Sequence, residues 1–311
     1  METVHIPVLL AEAVEYLNCQ ANGIYLDATL GSGGHAFTIL KDNPEIKALI
    51  ALDWDGEAIK QARKHLQPFS HKTYIFQENF INMRIIVKKL GFKEVNGILL
   101  DLGVSSQQLE DHNRGFSFRL QGVLDMRMNR NLSTTAFDVV NTSSVSQLEQ
   151  ILINYGEERF ASKIVNAIVT ERKKEPIADT LKLSQLVTSS IPRKHHPRKI
   201  HPATKTFQAL RIAVNNELEN LKRVIDEGID LLAQKGRLCI ISFHSIEDRI
   251  VKHQFRKLSR GGSLSEGDFP LREIKQGKVK IITKKPITPQ PEEVIKNPRA
   301  RSAKLRVVEK L

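Results

Sequence analysis

Three aspartates in this 311-residue sequence stand where largely apolar runs stop. Ile24-Tyr25-Leu26 leads into Asp27, Ala48–Leu52 into Asp53, and Val95–Leu100 into Asp101. Gly31-Ser32-Gly33-Gly34 follows the first of them, and His35 then opens a segment able to start a helix. Together these predict a strand, a glycine turn and a helix. Glycine in such a turn accepts φ > 0 and lets a ligand come close to the backbone, and the helix start presents unpaired N–H groups. Asp53 lies ~20 residues beyond the glycines, where a ribose-binding carboxylate belongs in a nucleotide-binding βαβ unit. The turn is not GxGxxG, which argues against a dinucleotide. A looser turn with no pyrophosphate to hold suits a methionine-type tail, and so points to S-adenosylmethionine. The competing reading is a ligand-free turn, with each acid capping the helix after it.

The elements that must position these acids follow from the pattern. Apolar runs at Ile24–Leu26, Ala48–Leu52, Thr73–Phe76, Val95–Leu100 and Arg237–Ser242 predict strands. Helical periodicity lies between them at Glu57–Leu66 and Ile81–Leu90. In open parallel sheets ligands bind beyond the carboxyl ends of the strands. Three acids at that edge exceed what structure alone asks for, because a buried unpaired carboxylate is costly. Phe80 sits in the loop after the third strand, where it could stack on an adenine or belong to the core; from the residues alone core is favoured. Before the first strand, His5–Leu17 reads as an amphipathic helix after Pro7. Leu102–Gln108 is predicted as a loop, and Asp111–Arg127 as a long loop without periodicity, of the functional kind. Helical patterns then run through Ala136–Val140, Val145–Tyr155, Phe160–Arg172 and Leu181–Ser190. They predict a mainly helical insertion, residues 104–202, within a sheet domain made of 1–103 and 203–311. A long helix is predicted over Thr206–Gln234, ended by Gly236. Gly261–Gly267 reads as a flexible loop, and Val279–Thr283 and Leu305–Val308 read as the last two strands.

Charge points to a partner. The net charge is +12, and from Arg272 to Leu311 twelve Lys/Arg face four Glu. Such an excess suits a polyanion, with nucleic acid foremost. Arg193, Lys194, Arg198 and Lys199 in PRKHHPRK, and Arg299 and Arg301 near the C-terminus, are the candidate phosphate contacts; a solvated basic loop is the alternative. His195, His196 and His201 lack partners at ligand spacing, so no metal site is predicted. Cys19 and Cys239 read as buried thiols of a reducing compartment. No apolar stretch approaches a membrane span. A cytoplasmic protein is expected.

Several stretches together resemble one family. HIPVLLAEAVEYL, YLDATLGSGGH, NGILLDLGVSSQQL, RGFSF, LDMRM, YGEERFASKI, HPATKTFQALRI, ISFHSIEDRIVK and NPRARSAKLR run in order from His5 to Arg306. They are similar to the bacterial small-subunit (16S) ribosomal RNA cytosine-N4 methyltransferases, the MraW/RsmH family. The resemblance implies a class I, Rossmann-like S-adenosylmethionine-dependent methyltransferase sheet with an inserted helical domain for RNA recognition. It implies methyl transfer to the exocyclic N4 amino group of a cytosine in the decoding region, with the ribosomal RNA or the assembled small subunit as substrate. It also implies Gly33, Gly34 and His35 along the methionine part of the cofactor and Asp53 on the ribose hydroxyls. Phe80 would lie by the adenine, with Asp101 and Gln108 near the reacting end. Ser32 and Gln107 depart from the family's usual Arg and Pro without removing a group needed here.

Asp101 is the candidate catalytic residue, placed like the acid of amino-group methyltransferases; a purely cofactor-holding role is the alternative. Asp101-Leu102-Gly103-Val104 lacks the aromatic found beside that acid in DNA enzymes. Phe116 or Phe118 is therefore the candidate stacking partner, with core packing the other reading. Ser242 and His244 are further candidates. A nicotinamide-dependent oxidoreductase and a non-catalytic RNA-binding assembly factor are the competing functions. A homodimer stays open.

Overall fold

The structure is a computed structural model and describes residues 7–260 and 276–311. The expected loop at Gly261–Gly267 and the residues before Pro7 lie outside it. Among the described residues, seven strands form one sheet. They are β1 (Ile24–Asp27), β2 (Ala48–Asp53), β3 (Thr73–Gln77), β4 (Val95–Asp101), β5 (Leu232–Ser242), β6 (Val279–Ile281) and β7 (Lys304–Lys310). Their order is β3-β2-β1-β4-β5-β7-β6. The first five run parallel, and β7 is antiparallel to both β5 and β6. This is the seven-stranded, mostly parallel α/β sheet that the resemblance implied, and Val279 and Leu305 do begin or sit in its last two strands.

A parallel strand covered on both faces reads as a continuous apolar run, and Ala48 to Leu52 are all buried. Alternation divides these residues between two cores. Leu26, Ile50, Leu52, Ile98 and Leu100 pack on one face, and Tyr25, Leu49, Ala51 and Leu99 on the other. By the same alternation Asp27, Asp53 and Asp101 fall on the second face. The helices of that face are α1 (Leu10–Leu17), α2 (Gly34–Asp42) and α3 (Gly56–His65), which contribute Leu17, Ile39 and Ala62. A fourth helix, α4 (Met83–Lys89), covers the first face with Met83 and Val87. Cys239 is buried in β5 and burial pushes its thiol up; burial also pushes Cys19 up to about 12, against a hydrogen bond from Tyr25.

The chain divides into two compact units, Met1–Gly103 with Leu218–Leu311, and Val104–Glu217. The second contains α5 (Ser106–Glu110), α6 (Ala136–Thr142), α7 (Val145–Gly156), α8 (Ala161–Arg172), α9 (Thr180–Ser190) and α10 (Thr204–Asn215). Leu148, Leu152, Ile164, Val165, Leu183, Val187, Phe207 and Leu210 form its core. Reciprocal capping boxes start three of these helices, at Ser105/Gln108, Thr135/Asp138 and Ser144/Gln147. The segment Leu102–Gln108 is therefore not all loop.

Two expectations about the return to the sheet need correction. The predicted helix over Thr206–Gln234 is two helices, α10 and α11 (Glu217–Leu231), broken where Asn216 takes φ 51°. Phe207 and Leu210 belong to the helical core, whereas Leu221, Val224 and Ile225 belong to the sheet core. The helical unit thus runs to Glu217 rather than to residue 202. Gly236 does not end a helix. It lies inside β5, next to Lys235 at φ 64°, where the register against β4 shifts between Val95 and Gly97. The extra residues there form a bulge.

The sheet unit is completed by α12 (Ser245–Arg260), which buries Val251 and Phe255, and by α13 (Pro291–Lys296). In the helical unit, the aperiodic Asp111–Arg127 segment is held by two buried polar side chains. Arg114 donates to the carbonyls of Arg127 and Met128 at 3.1 and 2.9 Å. Asn215 accepts from Met128 N at 2.7 Å and donates to the carbonyls of Met126 and Arg211 at 2.8 and 2.9 Å. Removing Asn215 strands these buried backbone groups, at ~1–3 kcal/mol. Asn215→Ala should therefore lower the midpoint of urea unfolding followed by circular dichroism, while Asn131→Ala, on an exposed residue, should leave it nearly unchanged.

Candidate active site

The neighbouring strands β2, β1 and β4 bring Asp53, Asp27 and Asp101 to the same sheet edge, each as the last residue of its strand. Asp53 fastens the glycine turn: Oδ2 accepts from Gly31 N at 2.7 Å and Oδ1 from Asp55 N at 2.8 Å. Burial pushes Asp53 up to about 6 despite these hydrogen bonds. Asp55 caps α3, accepting from Glu57 N at 3.0 Å. Gly33 caps α2 at φ 86°, a left-handed conformation suited to glycine. A Cβ at Gly34 would run into the ring of Pro7, whereas the space beside Gly31 is open.

Asp27 is 1% exposed. Its Oδ1 accepts from Thr29 N at 3.2 Å, and its Oδ2 has no hydrogen-bond partner. Burial pushes it up to about 7, with the nearby Asp53 charge adding to the effect. Thr29 also reaches the next strand, where its Oγ1 accepts from Asp101 N at 2.6 Å. The Asp101 Oδ1 is buried without a partner, and its Oδ2 lies 3.7 Å from His35 Nδ1. Burial, then the charges of Asp27 and Glu247, hold the Asp101 carboxyl well above the usual carboxylate range. His35, in the first turn of α2, is buried with Nε2 3.1 Å from the Val8 carbonyl. A proton on Nε2 makes that hydrogen bond and turns the Nδ1 lone pair toward Asp101.

Beyond β5, Glu247 is 2% exposed in the first turn of α12. Its Oε2 accepts from the amides of Phe243 and His244 at 2.8 and 3.3 Å. Its Oε1 stands 3.1 Å from His244 Nε2, outside hydrogen-bond geometry. Sequence reading passed over Glu247; the HSIED run, with an acid three residues after His244, was the available sign of a helix start. Ser242 is buried and donates at 3.4 Å to the Lys304 carbonyl, so its hydroxyl serves the β5–β7 pair. Phe80 is partly buried against the sheet core, in a turn joined to β2 through Glu78 N, which donates to the Asp53 carbonyl at 2.9 Å.

The remaining candidates separate. Gln108, in the helical unit, accepts from Ser105 N at 3.0 Å as part of its capping box. Phe116 is buried in the helical core, so of the two stacking candidates it is a packing residue. Phe118 lies parallel to His201 at 4.8 Å, with Phe207 edge-on at 5.6 Å. A cavity of about 690 Å³ in the same unit is lined by Phe118, Ser184, Gln185, Thr188, His196 and His201, among others. Arg193 also lines it, Lys194, Arg198 and Lys199 follow in the sequence and are exposed, and Arg299 and Arg301 are exposed on a 3₁₀ turn of the sheet unit. His196 Nε2 is 2.9 Å from the Ile191 carbonyl. Among the described residues no cluster suited to a metal ion occurs, and no helix is long and apolar enough to cross a membrane.

The model of the family described as "MraW methylase family" matches residues 2–311. The chain belongs to the MraW methylase family. Proteins named "Ribosomal RNA small subunit methyltransferase H" from Syntrophus aciditrophicus and Halothermothrix orenii are 46% and 48% identical over 308 and 309 residues, which cover 99% of this chain and 98% of each relative. One of the same name from Carboxydothermus hydrogenoformans is 46% identical over 312 residues, all of this chain and 99% of the relative. The stretches from His5 to Arg306 that carried the resemblance all lie within the matched residues.

The raised acids make stability depend on pH. Asp27 holds its proton in the folded state up to about pH 7, whereas in the unfolded chain it ionises near pH 4. Folded protein therefore binds the extra proton between those values, and this contribution to stability is lost as pH rises through them. Asp27→Asn should gain stability relative to the parent at pH 8 and not at pH 4, as read by urea unfolding at both values.

Proposed function

We propose that this protein transfers a methyl group from S-adenosylmethionine to the exocyclic N4 of a cytosine in the decoding region of small-subunit ribosomal RNA. The observation that carries this reading is the full-length relation to the MraW methylases, at 42–48% identity to ribosomal RNA small-subunit methyltransferases. The sheet edge fits the cofactor. Its unpartnered buried oxygens on Asp27 and Asp101 suit a cationic group, and the open space beside Gly31 admits a ligand against the backbone. Bound there, S-adenosylmethionine supplies an electrophilic methyl on a positively charged sulfur.

The residues then take these roles. Gly33, Gly34 and His35 line the methionine part at the start of α2. Asp53, held by backbone amides that include those of Gly31 and Asp55, would offer its remaining lone pairs to ribose hydroxyls. Phe80 would lie by the adenine. Gln108 enters this reading through the resemblance alone. The cytosine amino lone pair is delocalised into the ring, so the nitrogen is a weak nucleophile. Asp101 Oδ1, as a hydrogen-bond acceptor for one amino hydrogen, would turn the lone pair out of the ring and collect the proton that becomes acidic as the bond forms. The raised affinity of Asp101 for protons favours that uptake.

The base must leave its stack to reach such a site. Arg193, Lys194, Arg198 and Lys199 in the helical unit, and Arg299 and Arg301 in the sheet unit, hold the flanking phosphates. A ribosomal RNA substrate is in keeping with a cytoplasmic protein, with the RNA met either free or within an assembled small subunit.

Mass mapping of ribosomal RNA from cells lacking the protein tests the assignment. One cytosine should lack a base methyl and regain it with purified protein and S-adenosylmethionine, on naked RNA or on isolated subunits. Asp101→Asn should slow that transfer ~10²–10⁴-fold with RNA affinity retained. Neutralising Arg193, Lys194, Arg198 and Lys199 together should weaken RNA binding and flatten its salt dependence, by ~0.7 in log–log slope for each phosphate no longer neutralised. Methylation of a base other than cytosine, or of none, would refute the proposal.

A further inference from the structure

The acids at the sheet edge pose a charge problem, and one of them, Asp27, has no part in the methyl-transfer step. Asp27 and Asp101 end adjacent strands, and Thr29 bridges them: its N–H donates to Asp27 and its hydroxyl accepts from Asp101 N. Each carboxyl keeps one buried oxygen without a hydrogen-bond partner. The charged groups that bear on them are of the same sign. Asp53 acts on Asp27 from β2, with Asp55 behind it, and Glu247 acts on Asp101 from α12. The neighbouring rings are His35 on α2, with Nε2 at the Val8 carbonyl, and His244, 3.1 Å from Glu247. Two such carboxylates with buried oxygens cannot both ionise cheaply, and a proton on one of them relieves the repulsion.

We propose that the Asp27/Asp101 pair carries one proton in the cofactor-free protein and releases it when the cationic part of the cofactor binds beside it. This rests on the S-adenosylmethionine reading above. The chemistry balances: one carboxylic acid becomes a carboxylate, its proton passes to solvent, and the arriving positive charge takes the proton's place. Asp27 is thereby a charge-matching residue of the cofactor site, and Asp101 is left ionised and ready to accept a hydrogen bond or a proton. The shift of Asp27 to about 7 places the exchange near neutral pH.

Isothermal titration calorimetry of the full chain tests this directly, with no turnover involved. Binding heats for S-adenosylmethionine are compared in buffers of different ionisation enthalpy at pH 6 and 7, where the cofactor's own ammonium stays protonated. About one proton should be released at pH 6 and fewer at pH 7, and affinity should fall about tenfold per pH unit on the acid side. Adenosine, which carries neither cation, should release no proton. S-adenosylhomocysteine keeps the ammonium and lacks the sulfonium. A release as large as with S-adenosylmethionine would assign the compensating charge to the ammonium; a lost release would assign it to the sulfonium. Asp27→Asn, checked for folding by circular dichroism, should still bind and release less. Equal heats across buffers at pH 6 for a cofactor that binds would overturn the proposal and leave the methyltransferase reading intact. So would a release that persists in Asp27→Asn and vanishes in His35→Asn, which would give the proton to the imidazole. No binding of S-adenosylmethionine at all would overturn both.

Discussion

A carboxylate at the end of a buried parallel strand must be compensated, and in this protein the compensation is incomplete. Asp53 is satisfied by the amides of Gly31 and Asp55. Asp27 and Asp101 are each left with one oxygen unpaired. The difference divides the work of the edge. Asp53 fixes the shape of the glycine turn, and with it the start of α2 and the position of His35. Asp27 and Asp101 leave the edge short of positive charge. Replacing both by apolar residues would suit the strands better, since a buried ion without a partner destabilises the fold by several kcal/mol. Residues that disfavour the fold and are nonetheless held by it mark a site built for a charged ligand.

The rest of the sheet serves this edge. Period-2 alternation buries Tyr25, Ala51 and Leu99 on the face that carries the three acids, so the acids inherit the rigidity of fully buried strands. Thr29 and Leu102 extend the pairing past the strand ends: Thr29 Oγ1 accepts from Asp101 N, and Leu102 N donates to the Ile241 carbonyl. The acids are therefore held by backbone geometry on both sides, and little freedom is left for them to separate as their charges would dictate. The helical unit follows another plan, with short helices opened by capping boxes and a long aperiodic segment pinned by Arg114 and Asn215.

What was legible in the sequence follows from how local its cause is. Strand ends, glycine turn and ordinary helices have local causes, and Asp27, Asp53 and Asp101 all prove to be terminal residues of their strands. The break between α10 and α11 was hidden because the apolar stripe continues across it and Asn216, not glycine, takes the left-handed conformation. Gly236 misled for the complementary reason: a glycine after a helical pattern looks like a cap, while it sits in the irregular stretch of β5 that passes Asn96 of β4, a strand far away in the chain. Glu247 was missed because the burial of acids in the first turn of a charged helix, here Glu247 together with Asp248, is a tertiary fact. The capping role of Gln108 was readable from Ser105 three residues before it, and was passed over in favour of a ligand.

The strand order carries a consequence for synthesis. β4 ends at Asp101 and its partner β5 begins at Leu232, with the helical unit and α11 between them. A ribosome adding ~5–20 residues per second takes roughly 7–26 seconds over that interval. Through that time β1 to β4 are complete and the outer edge of β4, lined by Ile98, Leu99 and Leu100, waits unpaired. An apolar open edge is a template for wrong pairing. The nascent chain is thus most vulnerable midway through its own translation, and a fast-folding helical insertion keeps the intervening length from competing for that edge.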